Sequence, residues 1–136
     1  MRPAGHPGQA RRHPGPEPVR CAQAIAALFT ISGVLHLIVP GPYERIVPSA
    51  LPLRRGIVYG SGIAELACAG GLLYRPTRRL SGVASAVLLV GVFPGNVQMA
   101  VNAHRQGSPT LRLGTLARLP LQAPLVWAAL RASQVE

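Results

Sequence analysis

A lone carboxylate inside a long uncharged run is the feature that most constrains this chain. Glu65 sits at the middle of Tyr59–Tyr74, YGSGIAELACAGGLLY, a stretch of small and apolar residues with no other charge. In water a charge there costs little. In a bilayer it is expensive, and it needs a partner or a purpose.

Composition decides between the two solvents. Hydrophobic residues make up 49% of the 136 residues and charged residues only 13%, where a soluble domain carries about a quarter charged. Aromatics are only 4%, so the apolar content is Leu, Val, Ala and Ile. The net charge of +10 comes from 14 basic residues, all Arg. They lie in short clusters between uncharged runs and not on one amphipathic face. That is the layout of charge excluded from membrane spans and gathered in loops; it argues against nucleic-acid binding, which wants a basic patch or stripe.

Taken in order, residues 1–20 (MRPAGHPGQARRHPGPEPVR) hold prolines, glycines and arginines but no apolar run, which predicts a disordered basic tail held near anionic lipid. Arg11-Arg12 invites a twin-arginine export reading, but His-Pro-Gly-Pro follows the pair and no small-residue cleavage site follows the next apolar run. Residues 21–132 read as a membrane domain with spans at about 22–39, 57–73, 81–101 and 114–130. The first span, at 1.5 Å per residue, reaches roughly 27 Å, enough for a hydrocarbon core. Pro40-Gly41-Pro42 ends it. The loop over 40–56 reads as a short segment on the membrane surface. The second span is glycine-rich, with G-x-x-x-G at Gly56 and Gly60, and predicts the helix against which the other three pack. Pro94 kinks the third span. The fourth carries Arg118, Pro120 and Pro124 and ends near Trp127, an interfacial anchor. The fold class expected is all-α, a four-helix transmembrane bundle. With the tail inside, the inner segments hold Arg2, Arg11, Arg12, Arg20, Arg75, Arg78, Arg79 and Arg131, against Arg45, Arg54, Arg55, Arg105, Arg112 and Arg118 outside. That bias places both termini in the cytoplasm.

Counting depth along antiparallel spans gathers the polar residues in the outer half. His36, Glu65, Asn96, Arg118 and Gln122 form the candidate site, with Glu65 near the midplane and Arg118 nearer the outer surface. An Arg side chain covers the depth difference of roughly 7 Å, which predicts a buried Glu65–Arg118 pair completed by His36, Asn96 and Gln122. Asn96 is preferred over Gln98 because Pro94 and Gly95 open space beside it. Cys21 and Cys68 form no C-x-x-C, and no metal-ligand or nucleotide-binding spacing is present.

The stretches SGVLHLIVPGPYERIVPSALP (32–52), YGSGIAELACAGGLL (59–73), VFPGNVQMAVNA (92–103) and RLPLQAPLVWAAL (118–130) resemble the DoxX-like family of small bacterial four-helix membrane proteins. The resemblance implies a multi-pass protein of the bacterial cytoplasmic membrane, linked to quinone-dependent redox complexes. Relatives that use a cysteine pair differ from this chain, which has none. Three functions follow as expectations. The first is an accessory subunit whose outer pocket binds a lipidic molecule such as a quinone, alone or with redox-complex subunits. The second is a membrane enzyme using His36 and Glu65 as acid and base on a lipid-soluble substrate. The third is a small transporter, which four short spans would form only as a homo-oligomer.

Overall fold

The computed structural model describes residues 16–134, and all regular structure among them is helical. Of the tail expected over 1–20, residues 1–15 lie outside the described residues. Helix α1 runs Pro16–Ile38, α2 Pro40–Glu44, α3 Arg54–Leu73, α4 Arg78–Gly91, α5 Phe93–Gln106 and α6 Pro109–Ala132, with one 3-10 turn at Arg75–Thr77. Three segments are long and apolar enough to cross a membrane: Glu17–Ile38, Arg54–Leu73, and Arg75–Gln106 taken through its break. Helix α6 is 24 residues long but does not reach the same apolarity.

Several boundaries differ from the sequence expectation. Residues 16–20 are helical, not disordered. The first helical positions have no intrahelical acceptor to satisfy, so Pro16 and Pro18 cost nothing there, and Glu17 complements the positive end of the helix. Asn102, His104 and Arg105 belong to α5, not to a loop; α5 continues until Gly107 adopts φ +72, a left-handed cap. The loop before α6 is therefore two residues, and Pro109 opens the helix.

Each long helix buries one stripe. On α1 it is Ala22, Ile25, Ala26, Phe29 and Gly33; on α3 it is Val58, Gly62, Glu65, Ala69 and Leu72; on α4 it is Arg78, Ser81, Gly82, Ser85, Ala86 and Leu89. These repeats of three and four residues mark one helical face. The opposite faces carry Ile31, Ile38, Ile63, Leu80, Val87 and Val90, all more than half exposed, the inverse of a soluble protein's surface. Alanines dominate the packed core at the end holding the N-terminus of α1 and the C-terminus of α6.

The glycines do not work as the sequence suggests. Gly60 and Gly70 face open space, so the Gly56/Gly60 motif is not a packing seam. The close approaches lie elsewhere. A Cβ on Gly33 would stand 2.8 Å from the Gly62 carbonyl oxygen, and one on Gly62 would stand 2.8 Å from the His36 Cβ. Helices α1 and α3 thus cross with backbones nearly touching. Helix α3 packs against α1 and α4; α6 packs against α1, α4 and α5. Helix α3 is therefore not the common partner of the others: α1 and α4 each touch both α3 and α6, which lie across the diagonal.

Arg78 closes the tight turn between α3 and α4. Its Nε donates to the Leu72 carbonyl at 2.7 Å although the residue is buried. Arg78→Met leaves that carbonyl without a donor, and a hydrogen bond from a charged group contributes about 1.5–3 kcal/mol. Thermal unfolding in mild detergent should show a loss of that order.

Candidate functional site

The polar residues collect at the end opposite the alanine core, around a cavity of about 260 Å³. Its walls come from the C-terminal turns of α1, the first half of α3, the α4–α5 junction and α6, and its cover is the segment from Tyr43 to Leu51. The segment expected on the membrane surface thus closes a site. Most of the lining is apolar, with Ile46, Val47, Leu51, Ile57, Val58 and Val92 around Glu65, His36, Asn96 and Arg118.

Glu65 is 6% exposed, and its Oε2 has no hydrogen-bond partner. Buried polar atoms are almost always satisfied, so an orphaned carboxylate oxygen on a cavity wall marks an unfilled acceptor. The nearest basic side chain is that of His36, with Nδ1 at 3.5 Å from Oε2. The same Nδ1 lies 2.7 Å from the Ser32 carbonyl oxygen. A carbonyl only accepts, so the Nδ1 proton points to Ser32. The His36 ring stacks on Tyr43, centroids 3.9 Å apart and planes 26° from parallel. Burial raises the Tyr43 phenol above its ordinary value of 10.0, Arg118 opposes that rise and Glu65 adds to it; Tyr43 therefore remains a neutral donor near pH 7.

The expected Glu65–Arg118 pair does not form, and His36 takes Arg118's place. The reason is the helix arrangement. The Gly33–Gly62 crossing sets His36 against Glu65, whereas Arg118 stands on α6, diagonal to α3. Arg118 is exposed at the cavity edge and donates from Nη1 to the Met99 Sδ at 3.7 Å.

Asn96 and Gln122 form their own pair. Asn96 Nδ2 donates to Gln122 Oε1 at 2.8 Å, and Gln122 Nε2 donates to the Leu89 carbonyl. Where Pro94 divides the third expected span, Gln122 from α6 reaches a carbonyl in the last turn of α4. Gln98 turns instead to Asn102, 3.0 Å away. Asn96 therefore lines the cavity, while Gln122 lies behind it as a support. Gln122→Leu strands two partners and should cost about 2 kcal/mol or more, while Asn96→Ala strands one and costs less; thermal unfolding of both and of the double variant should show non-additive losses.

Sequence reasoning missed Tyr43, Met99 and the Ile46–Leu51 cover, whereas the four-residue spacing of Ser32 and His36 does put them on one face. Tyr43 carried a faint signal, being one of few aromatics and placed directly after Pro-Gly-Pro. Among the described residues, Ser85 Oγ is also buried without a partner, and it does not line this cavity. Among the described residues, no cluster of His, Cys, Asp and Glu has the geometry of a metal site. Cys21 and Cys68 are free, and each packs against the alanine core.

No curated protein and no solved structure matches the chain. A family profile described as Domain of unknown function (DUF8561) matches residues 25–133, a span that contains all five candidate residues. The chain belongs to the DUF8561 family.

Proposed function

We propose that this is a membrane protein whose cavity holds the polar head of a lipid-soluble molecule, with a quinone or its reduced form as the leading ligand type. The observation that carries the reading is the unpartnered Oε2 of Glu65 on the wall of a largely apolar cavity. An apolar cavity of about 150 Å³ holds a benzene ring, so one of about 260 Å³ takes a substituted ring. Glu65 supplies an acceptor for a ligand hydroxyl, and Tyr43 and Arg118 supply donors for a ligand carbonyl. In this reading α1, α3, α4 with α5, and α6 are four spans of a DoxX-like bundle in a bacterial cytoplasmic membrane. Its termini lie inside, and the protein serves as an accessory subunit of a redox system. Helix α6 completes the bundle despite its arginines because its buried stripe of Thr115, Gln122, Ala129 and Ala132 packs inward.

A second reading is favoured by the His36–Glu65 contact at 3.5 Å. Two titratable groups side by side on a cavity wall can serve a bound molecule as acid and base, which suits a membrane enzyme acting on a lipid-soluble substrate.

The test is mass spectrometry of lipids extracted from protein purified in mild detergent, comparing wild type with Glu65→Gln. The wild type should retain a specific lipid-soluble molecule that the variant loses. Equal retention defeats the proposal, and turnover of the retained molecule favours the enzyme.

A further inference from the structure

A second cavity adjoins the first. It measures about 270 Å³ and is bounded by Leu35, Val39, Pro42, Tyr43, Met99 and Arg118. Tyr43, Met99 and Arg118 also line the first cavity, so these three side chains form a threshold between two chambers. The chambers differ in chemistry. Glu65, His36 and Asn96 face the first only, while the far walls of the second are Leu35, Val39 and Pro42. Leu35, 42% exposed, lies in the last turn of a helix long and apolar enough to cross a membrane, and Val39, 47% exposed, follows directly after that helix ends at Ile38. With α1 taken as a span, as proposed above, this chamber opens toward the bilayer beside the end of that span.

The threshold itself is loosely held. Among the described residues, no oxygen accepts from Arg118; its partner is the Met99 thioether, a weak acceptor on a flexible unbranched side chain. That leaves most of the guanidinium donors for a ligand oxygen passing over them.

We infer that one amphiphile fills both chambers, with its polar ring beside Glu65 and its hydrocarbon chain crossing Tyr43, Met99 and Arg118 to reach lipid at Leu35 and Val39. The inference rests on the pocket reading above and adds to it the ligand's class and route. The ligand is a ring-headed lipid with a flexible chain, and it enters sideways from the bilayer. The chain lies in hydrocarbon before and after binding, so no apolar surface leaves water and chain length adds little affinity. Position, not affinity, is the discriminating observable.

The probe is a benzoquinone bearing a decyl chain with a diazirine midway, photolysed on the purified full chain in mild detergent. Mass spectrometry then locates the label, with the same quinone lacking the diazirine as competitor. The expected result is label on residues 35–43 and Met99, most of it lost when competitor is added. Val39→Trp and Leu35→Trp, two substitutions at exposed positions, should each remove most of that label. Competitor-sensitive label confined to the Ile46–Leu51 cover or to Ile57 overturns the lateral route and leaves the pocket reading standing. Label at 35–43 unchanged in both tryptophan variants overturns it too. No competitor-sensitive label anywhere defeats the pocket reading, and the lateral route falls with it.

Discussion

Replacing Glu65 with methionine is expected to stabilise the fold and empty the site at once. Glu65 is 6% exposed with an oxygen that no donor reaches, and an unsatisfied buried polar group costs about 1–3 kcal/mol. Methionine is unbranched and of similar length, so it fills the same space without that cost. The substitution strands no neighbour, because the His36 Nδ1 proton already goes to the Ser32 carbonyl at 2.7 Å. The gain should be about 1–3 kcal/mol, read as a higher unfolding midpoint in detergent, together with loss of the co-purifying lipid. The sign carries the information. A carboxylate that merely joins helices would make Glu65→Met destabilising, whereas a group kept for a ligand stores instability that its removal relieves.

The second large effect is expected at glycines where backbones meet. A Cβ on Gly82 would lie 2.7 Å from the Ser133 nitrogen and 2.8 Å from the Ala129 carbonyl oxygen. Backbone atoms cannot rotate out of the way as side-chain ends do, so α4 and α6 must separate. Gly82→Ala should cost about 1–3 kcal/mol and Gly82→Val more. Gly62→Ala presses on the His36 Cβ at 2.8 Å and the Gly33 carbonyl oxygen at 3.0 Å, so it should also displace His36 and weaken ligand retention. Gly60→Ala and Gly70→Ala meet nothing within 4 Å and should be neutral, or stabilising by about 0.5–1 kcal/mol, since alanine is the better helix former. Thermal unfolding of the four alanine variants separates the two classes. Equal losses at Gly60 and Gly82 would sink this account of the seams.

Legibility followed the range of the interactions involved. The helices over Ala22–Ile38, Ile57–Leu73 and Ser81–Val101 could be read because an uncharged run of such length is a property of local composition. The break near Pro94 was readable for the same reason, since a missing N–H acts within one turn. The starts of α1 and α6 were misplaced because proline reads as a breaker until its position in the helix is known; at the first turn it initiates. Gly60 looked equivalent to Gly62 because spacing along the chain does not say which face meets a neighbour.

The candidate site divides along the same line. By itself the sequence picked out His36, Glu65, Asn96, Arg118 and Gln122 as polar groups within otherwise apolar helical runs, because that contrast is a property of local composition. Their partners were decided by the tertiary structure alone. Glu65 meets His36 and not Arg118 because α1 and α3 cross at Gly33 and Gly62 while α6 stands diagonally across. The cover from Tyr43 to Leu51 and the second chamber beyond Arg118 likewise exist only when distant segments fold together. Helical rise fixes how deep a residue lies; which residue it faces depends on helix rotation and contact order, and these are set by where backbones can approach most closely.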